Sequence, residues 1–302
     1  MVNCSVNTPQ AEDFMSGIST VTLSFVFLLS ATSLSTCALF MELWVYLSRN
    51  ISCTLVKDRC LIVLALFPAN DAPYLIACPS VHSYTGMALF AFFHLTVAYL
   101  GGEAEMLDKM QGVDCVLNVG PLCCCCCCCL PRLPMTRQAY SIFRKCVSQT
   151  VFLIPMLTFV IAVLWADVKY FDLKEEVYSP VLYLRILMSI SILLSLYVFN
   201  IMVKTSLCVA DQRYHLMAKY NIILVALVIN SLQPLIFELL TAYDVIPCTA
   251  QFNWQGRASE FDHMAKVVEY FILMLSARVY YRKPYPPPDT ERLSFDNSLF
   301  IQ

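Results

Sequence analysis

Seven stretches of roughly twenty mostly apolar residues succeed one another along this chain, each about the length a helix needs to cross a bilayer. They lie at positions 17–47, 60–78, 84–100, 147–165, 180–203, 218–242 and 264–281. Only 14% of the 302 residues are charged, against about 25% in soluble domains. So much apolar side chain exceeds what one water-soluble core hides, and the expected class is an all-α integral membrane protein with a seven-transmembrane-helix bundle. The net charge of −2 gives no footing for nucleic acid. Residues 1–17 lack the basic stretch that opens a cleavable signal peptide.

Lysine and arginine favour the cytosolic side of spanning segments, and their placement sets the expected orientation. The first connection carries Arg49, Lys57 and Arg59, the third Lys109, Arg132, Arg137, Arg144 and Lys145, and the fifth Lys204, Arg213 and Lys219. The tail adds Arg278, Arg282, Lys283 and Arg292, whereas the N-terminus and the second connection have none. The fourth connection has Lys169 and Lys174, the sixth Arg257, and Arg185 and Lys266 fall inside spans. The bias predicts residues 1–16 outside, a helical domain over 17–281 with a cytosolic loop at 101–146, and a cytosolic tail at 282–302. The sequon at Asn3 is then open to glycosylation, while the one at Asn50 stays bare. Cys4, Cys78 and Cys248 fall on the oxidising side, with no pairing fixed by the sequence.

The third loop contains an unbroken run of Cys123, Cys124, Cys125, Cys126, Cys127, Cys128 and Cys129. A reducing cytosol disfavours disulfides there. Thiolates are good soft-metal ligands, yet adjacent cysteines are badly spaced for one tetrahedral site and no histidine is near. Juxtamembrane cysteines beside basic residues suit S-acylation. Each buried acyl methylene adds about 0.8 kcal/mol of membrane affinity. Acylation is the preferred expectation; an unmodified apolar loop and a metal site remain the alternatives.

Ionisable groups within spans are expensive and commonly face an interior or a wet path. Asp71 lies within Pro68-Ala-Asn-Asp-Ala-Pro73, a segment expected to kink or break its helix. Arg185 sits a few residues into the fifth span, where it either grips an anionic group or snorkels outward. Glu238 and Glu269 are potential partners for Lys266 or Arg185. Asn230 and Gln233 share a helical face, and Pro234 removes the donor that Asn230's carbonyl would otherwise receive. That pattern points to a broken helix near a site, although amides also serve as plain interhelical bonds. These six residues — Asp71, Arg185, Asn230, Gln233, Glu238 and Glu269 — are the candidate substrate-binding set.

The cysteine run between Gly120-Pro121 and Leu130-Pro-Arg-Leu133 resembles the alpha subunit of the organic solute transporter family. Gly101-Gly102-Glu103, Leu232-Gln233-Pro234-Leu-Ile-Phe237 and Ala277-Arg278-Val-Tyr280-Tyr281-Arg282 match it as well, in order, over roughly residues 20–285. Glu269 also falls on a family position. The chain departs from the family at Asp71-Ala-Pro73-Tyr74, where a basic residue is expected just after the proline, and at Arg185. The resemblance implies a seven-helix subunit working with a single-span beta subunit. Such a pair carries bile acids, conjugated steroids and similar amphipathic anions down their gradients, in the plasma membrane and basolaterally in epithelia. It implies no cofactor, no metal and no enzymatic step.

Two other classes fare worse on the residues. A seven-span receptor or regulatory protein without transport shares the topology. But Asp58-Arg59-Cys60 opens the second span rather than closing the third, and the seventh lacks Asn-Pro-x-x-Tyr. An intramembrane enzyme finds no His-Glu-x-x-His and no Gly-x-Ser-x-Gly, and His82, His94, His215 and His263 are scattered. The tail from Lys283-Pro-Tyr-Pro-Pro-Pro is expected to be extended.

Overall fold

The first helix shows how this chain tolerates hydroxyls in an apolar setting. A computed structural model describes residues 20–71, 80–115, 133–166, 180–209, 214–243, 245–246 and 254–283. Helix α1, Thr20–Asn50, contains the run Ser30-Ala-Thr-Ser-Leu-Ser-Thr36. Ser24, Ser30, Thr32 and Ser35 each donate to the carbonyl four residues back, at 2.8–2.9 Å. Their polar hydrogens are thus satisfied inside the helix, as a non-aqueous solvent requires. Phe25, Phe27, Leu28 and Leu34 are exposed beside them. An apolar helix with so little of itself covered is suited to lipid.

The second apolar region is not one helix. It forms α2, Thr54–Leu64, then a one-residue turn at Ala65, then α3, Leu66–Asp71. Pro68 is tolerated because first-turn amides have no intrahelical acceptor to lose. A turn thus precedes Pro68, Asp71 is the last described residue of α3, and Ala72 and Pro73 lie outside the described residues. Helix α4, Ser80–Tyr99, is followed by α5, Glu103–Lys109, at an angle of 64°. Gly101 and Gly102 make that corner with φ of 95° and 97°, a region nearly closed to residues with a Cβ. Lys109 Nζ reaches back to the Leu100 carbonyl at 3.2 Å and pairs with Glu105 at 2.6 Å, tying α5 to the end of α4. The Gly-Gly-Glu motif is thus a corner of the fold.

Strands β1, Asp114–Cys115, and β2, Leu133–Pro134, pair antiparallel over two residues. They bring together the two ends of the segment holding the cysteine run, while the seven cysteines lie outside the described residues. So do Asn3, Cys4, Cys78, Cys248 and the proline-rich tail.

Four further helices follow: α6, Arg137–Ala166; α7, Pro180–Leu207; α8, Leu216–Ala242; and α9, Trp254–Tyr281. Helix α6 starts ten residues before the apolar stretch, because Thr136 Oγ1 accepts the Ala139 amide at 3.2 Å and caps it. Helix α8 runs unbroken through Pro234, so the break expected there is absent. Among the described residues, four helices are long and apolar enough to cross a membrane: α1, α6, α7 and α8. A fifth counts if α4 and α5 form one bent span. Seven were expected. The turn at Ala65 divides the second stretch, and Arg257, Glu260, Asp262, Lys266 and Glu269 dilute the apolar character of α9.

The helices form two compact units. One contains α2, α4, α5, α6, α7 and the start of α8. In it α4 packs on α2 and α6, and α6 packs on α7. Gly86 allows a close approach: a Cβ there would lie 2.8 Å from the Thr150 carbonyl oxygen of α6. Phe92 meets Phe199 edge-on, and Phe93 stacks on Tyr140. Arg59 donates to the His94 carbonyl at 2.8 Å, and Tyr84 to that of Ile62 at 2.7 Å, so polar groups on α4 and α2 satisfy one another. The other unit contains α1 up to Trp44, α3 from Phe67, α8 from Asn221 and all of α9.

Candidate functional site

Helix α9 carries Asp262, Lys266 and Glu269 at intervals of four and three, which places them along one face. The Lys266 ammonium meets Asp262 Oδ2 at 2.7 Å, with side chains only 9% and 8% exposed. From α8, Gln233 Nε2 lies 3.5 Å from the Asp262 carbonyl oxygen, a long contact, and its side chain also faces the Glu269 carboxyl. Asn230, one turn earlier on α8, is buried too. Tyr270 is fully buried: its hydroxyl donates to the Ala226 carbonyl at 3.2 Å and its ring lies against Phe67 of α3. Its phenol is within electrostatic reach of Asp71, Asp262 and Glu269.

Asp71 enters from the end of α3 and is 2% exposed. Its backbone carbonyl receives Ser33 Oγ of α1 at 3.4 Å. Neither carboxylate oxygen has a hydrogen-bond partner among the described residues. Thr36 stands beside the carboxyl, but its one hydroxyl proton goes to the Thr32 carbonyl at 3.2 Å. Asp262 Oδ1 and Glu269 Oε2 are likewise buried without a partner. The result is a polar seam inside an apolar four-helix unit, with three carboxyls to one ammonium. Elsewhere in this unit Arg278 grips Glu42 through two bonds of 2.9 Å, a fork that joins α9 to α1.

Of the six candidate residues, Gln233 and Glu269 face each other beside the Asp262–Lys266 pair, Asn230 lies one turn along, and Asp71 is linked to this group through the Tyr270 phenol. Arg185 falls within α7 and Glu238 within α8, and both side chains lie outside the described set. Glu238 and Glu269 were potential partners for Lys266 or Arg185; the salt bridge of Lys266 is with Asp262, and Glu269 lies within its electrostatic reach. The signal was available: Asp and Lys four apart on a helix are neighbours. Among the described residues, no three His, Cys, Asp or Glu side chains gather in a way that holds a metal ion.

The sequence profile of a family described as organic solute transporter Ostalpha matches residues 21–285, from the beginning of α1 to just past α9. Among curated proteins, the chain is 26% identical to "Organic solute transporter subunit alpha" of Leucoraja erinaceus, covering 84% of this chain and 75% of that protein. It is 26% identical to the Homo sapiens protein of the same name, covering 93% and 85%, and 24% identical to the Bos taurus one, covering 95% and 89%. No solved structure matches the chain significantly. With the match running through every helix that builds the buried seam, the chain belongs to the organic solute transporter Ostalpha family.

Proposed function

We propose that this chain is the alpha subunit of a two-part facilitative carrier for bile acids, conjugated steroids and related amphipathic organic anions. In this reading it crosses the plasma membrane seven times, with its N-terminus outside. A single-span beta subunit completes it, and acyl chains on residues 123–129 hold the third loop to the inner leaflet. The observation that supports the reading is the seam in which Asp71, Asp262 and Lys266 are buried and Gln233 and Glu269 half-buried, within a largely apolar helical unit. A steroid conjugate needs a broad apolar surface with a few polar contacts. Buried ionisable groups within membrane helices mark pathways more often than they mark stability. The named relatives are transporter subunits, which supports transport over signalling.

The test is uptake of a radiolabelled steroid sulfate in cells expressing the chain with and without a single-span partner. Saturable uptake and efflux, dependent on both chains, is the expected result. A pair that reaches the cell surface and moves neither steroid sulfates nor bile acids overturns the reading.

A further inference from the structure

A cationic place lies in the other helical unit, where α4 packs between α2 and α6. Arg59 of α2 donates to the His94 carbonyl of α4 at 2.8 Å, which holds its guanidinium against that helix. Arg144 of α6 is within electrostatic reach of the same histidine. Two guanidinia from two helices therefore converge on one level of a third. His94 itself is 5% exposed and walled by Phe90 and Phe93, with ring centroids 4.4 and 5.7 Å away. Both arginines are half-buried, and Lys145, next to Arg144, is exposed. Like charges gathered in this way repel, and an anion relieves the repulsion. Acids are scarce on these elements. Between Asp114 and Asp167 the chain carries four basic residues and no acidic one. Asp58 is the one acid of α2, and immediate neighbours on a helix, such as Asp58 and Arg59, do not share a face.

The outer face of α6 decides what kind of anion fits. Phe152, Met156, Phe159 and Val163 recur at intervals of four, three and four, and all are exposed, Phe152 by 76%. That spacing makes one stripe along a helix, suited to acyl chains. Two turns before Phe152 the same stripe reaches Lys145, with half-buried Ser148 and Gln149 between them. Ser148 Oγ donates to the Lys145 carbonyl at 3.0 Å, so this hydroxyl is satisfied within the helix. The stripe thus passes from apolar to polar to cationic, the order in which a phospholipid runs from chain to ester to phosphate. Resting, for the choice of leaflet alone, on the orientation in the transport reading above, we propose that Arg59, Arg144 and Lys145 bind the phosphate headgroup of an anionic phospholipid of the inner leaflet, whose chains lie along α6. A guanidinium takes phosphate oxygens through paired N–H bonds, and the lysine adds a mobile point charge. Basic pockets between membrane helices on the cytosolic side suit such headgroups. The lipid ties α2 to α6 across α4. It supplies no energy to the carrier, so transport stays facilitative.

The test is lipid retention. Full-length protein in a neutral detergent is titrated with dioleoyl phosphatidylserine, and bound lipid is counted by native mass spectrometry. Dioleoyl phosphatidylcholine, with the same chains and a zwitterionic headgroup, is the comparison. The expected result is a saturable site that holds phosphatidylserine in preference to phosphatidylcholine. Retention weakens roughly fivefold for each charge removed in Lys145→Gln and Arg144→Gln. Lys145 is exposed, so its loss leaves the packing intact, and Lys145→Arg keeps the affinity. Lys204→Gln, which removes an exposed cation near the end of α7, leaves retention unchanged. Equal retention of the two lipids overturns the proposal. So does an equal loss in Lys145→Gln and Lys204→Gln, which reduces the effect to overall charge. Inorganic phosphate that displaces the lipid, at an ionic strength where chloride does not, assigns the arginines to a free anion and overturns the lipid site. Displacement by steroid sulfate assigns them to the carried anion, with the same consequence. Binding is read without transport, so the two readings fail separately. A carrier pair that moves no steroid sulfate leaves the lipid result standing, and a protein blind to phosphatidylserine that still transports sinks the lipid site alone.

Discussion

Lys266 and Asp262 illustrate how a buried ion pair divides structure from function at the level of single residues. Both side chains are at least nine-tenths covered, so removing one leaves an uncompensated charge in a poor solvent. Lys266→Met is expected to destabilise the protein by about 3–5 kcal/mol. Lys266→Met combined with Asp262→Leu is expected to recover most of that loss, because two apolar groups of similar size replace a desolvated pair. Melting of the detergent-solubilised variants checks the cycle, and equal losses in single and double variants would show that packing governs. Restored stability without restored uptake would place the pair in the working seam. The sequence made Asp71, Gln233 and Glu269 visible because each is a polar residue in an apolar run. Lys266 was visible for the same reason, but its partner was not. Asp262 precedes the stretch taken as the seventh span, and the hydropathy signal begins only after it.

Between residues and whole helices, glycine decides where elements meet. Gly102 begins α5 at φ 97° and ψ 177°, a conformation reserved almost wholly for glycine. Gly102→Ala is expected to cost about 1–3 kcal/mol of strain and to loosen the corner between α4 and α5. Gly86→Ala tests a different cause. Its new Cβ would meet a main-chain oxygen of α6 at 2.8 Å, so α4 or α6 has to move, at about 1–3 kcal/mol. Melting temperatures separate these from Gly112→Ala, where nothing lies within 4 Å of the new Cβ and backbone strain acts alone. The apolar stretches revealed that helices exist and roughly where. They did not reveal that the second stretch divides at Ala65, or that α6 and α9 each begin ten residues early. Those outcomes rest on a tight turn, a threonine cap and polar helical turns, none of which raises hydropathy.

Across the whole molecule, one property links the cysteine run to the chain's two sequons: the side of the membrane each faces. The antiparallel pair of β1 and β2 draws residues 115 and 133 together, so the two ends of the segment holding the cysteines are fixed to each other between α5 and α6 in the chain. If basic residues set the orientation, that loop is cytosolic, Asn3 is outside, and Asn50 is on the same side as the cysteines. Asn50 is also occupied: its amide nitrogen donates to the Tyr46 carbonyl at 2.8 Å at the end of α1. The expected outcome is a glycosidase-sensitive gel shift that disappears in Asn3→Gln and persists in Asn50→Gln. In the same cells, hydroxylamine-dependent acyl exchange should label the wild-type protein strongly, and much less after residues 123–129 are changed to serine. An epitope inserted in that loop should be reached by antibody only after permeabilisation. An epitope stained in intact cells would invert the arrangement and place the thiols in an oxidising space. Disulfides would then replace thioesters as the expected chemistry of the run.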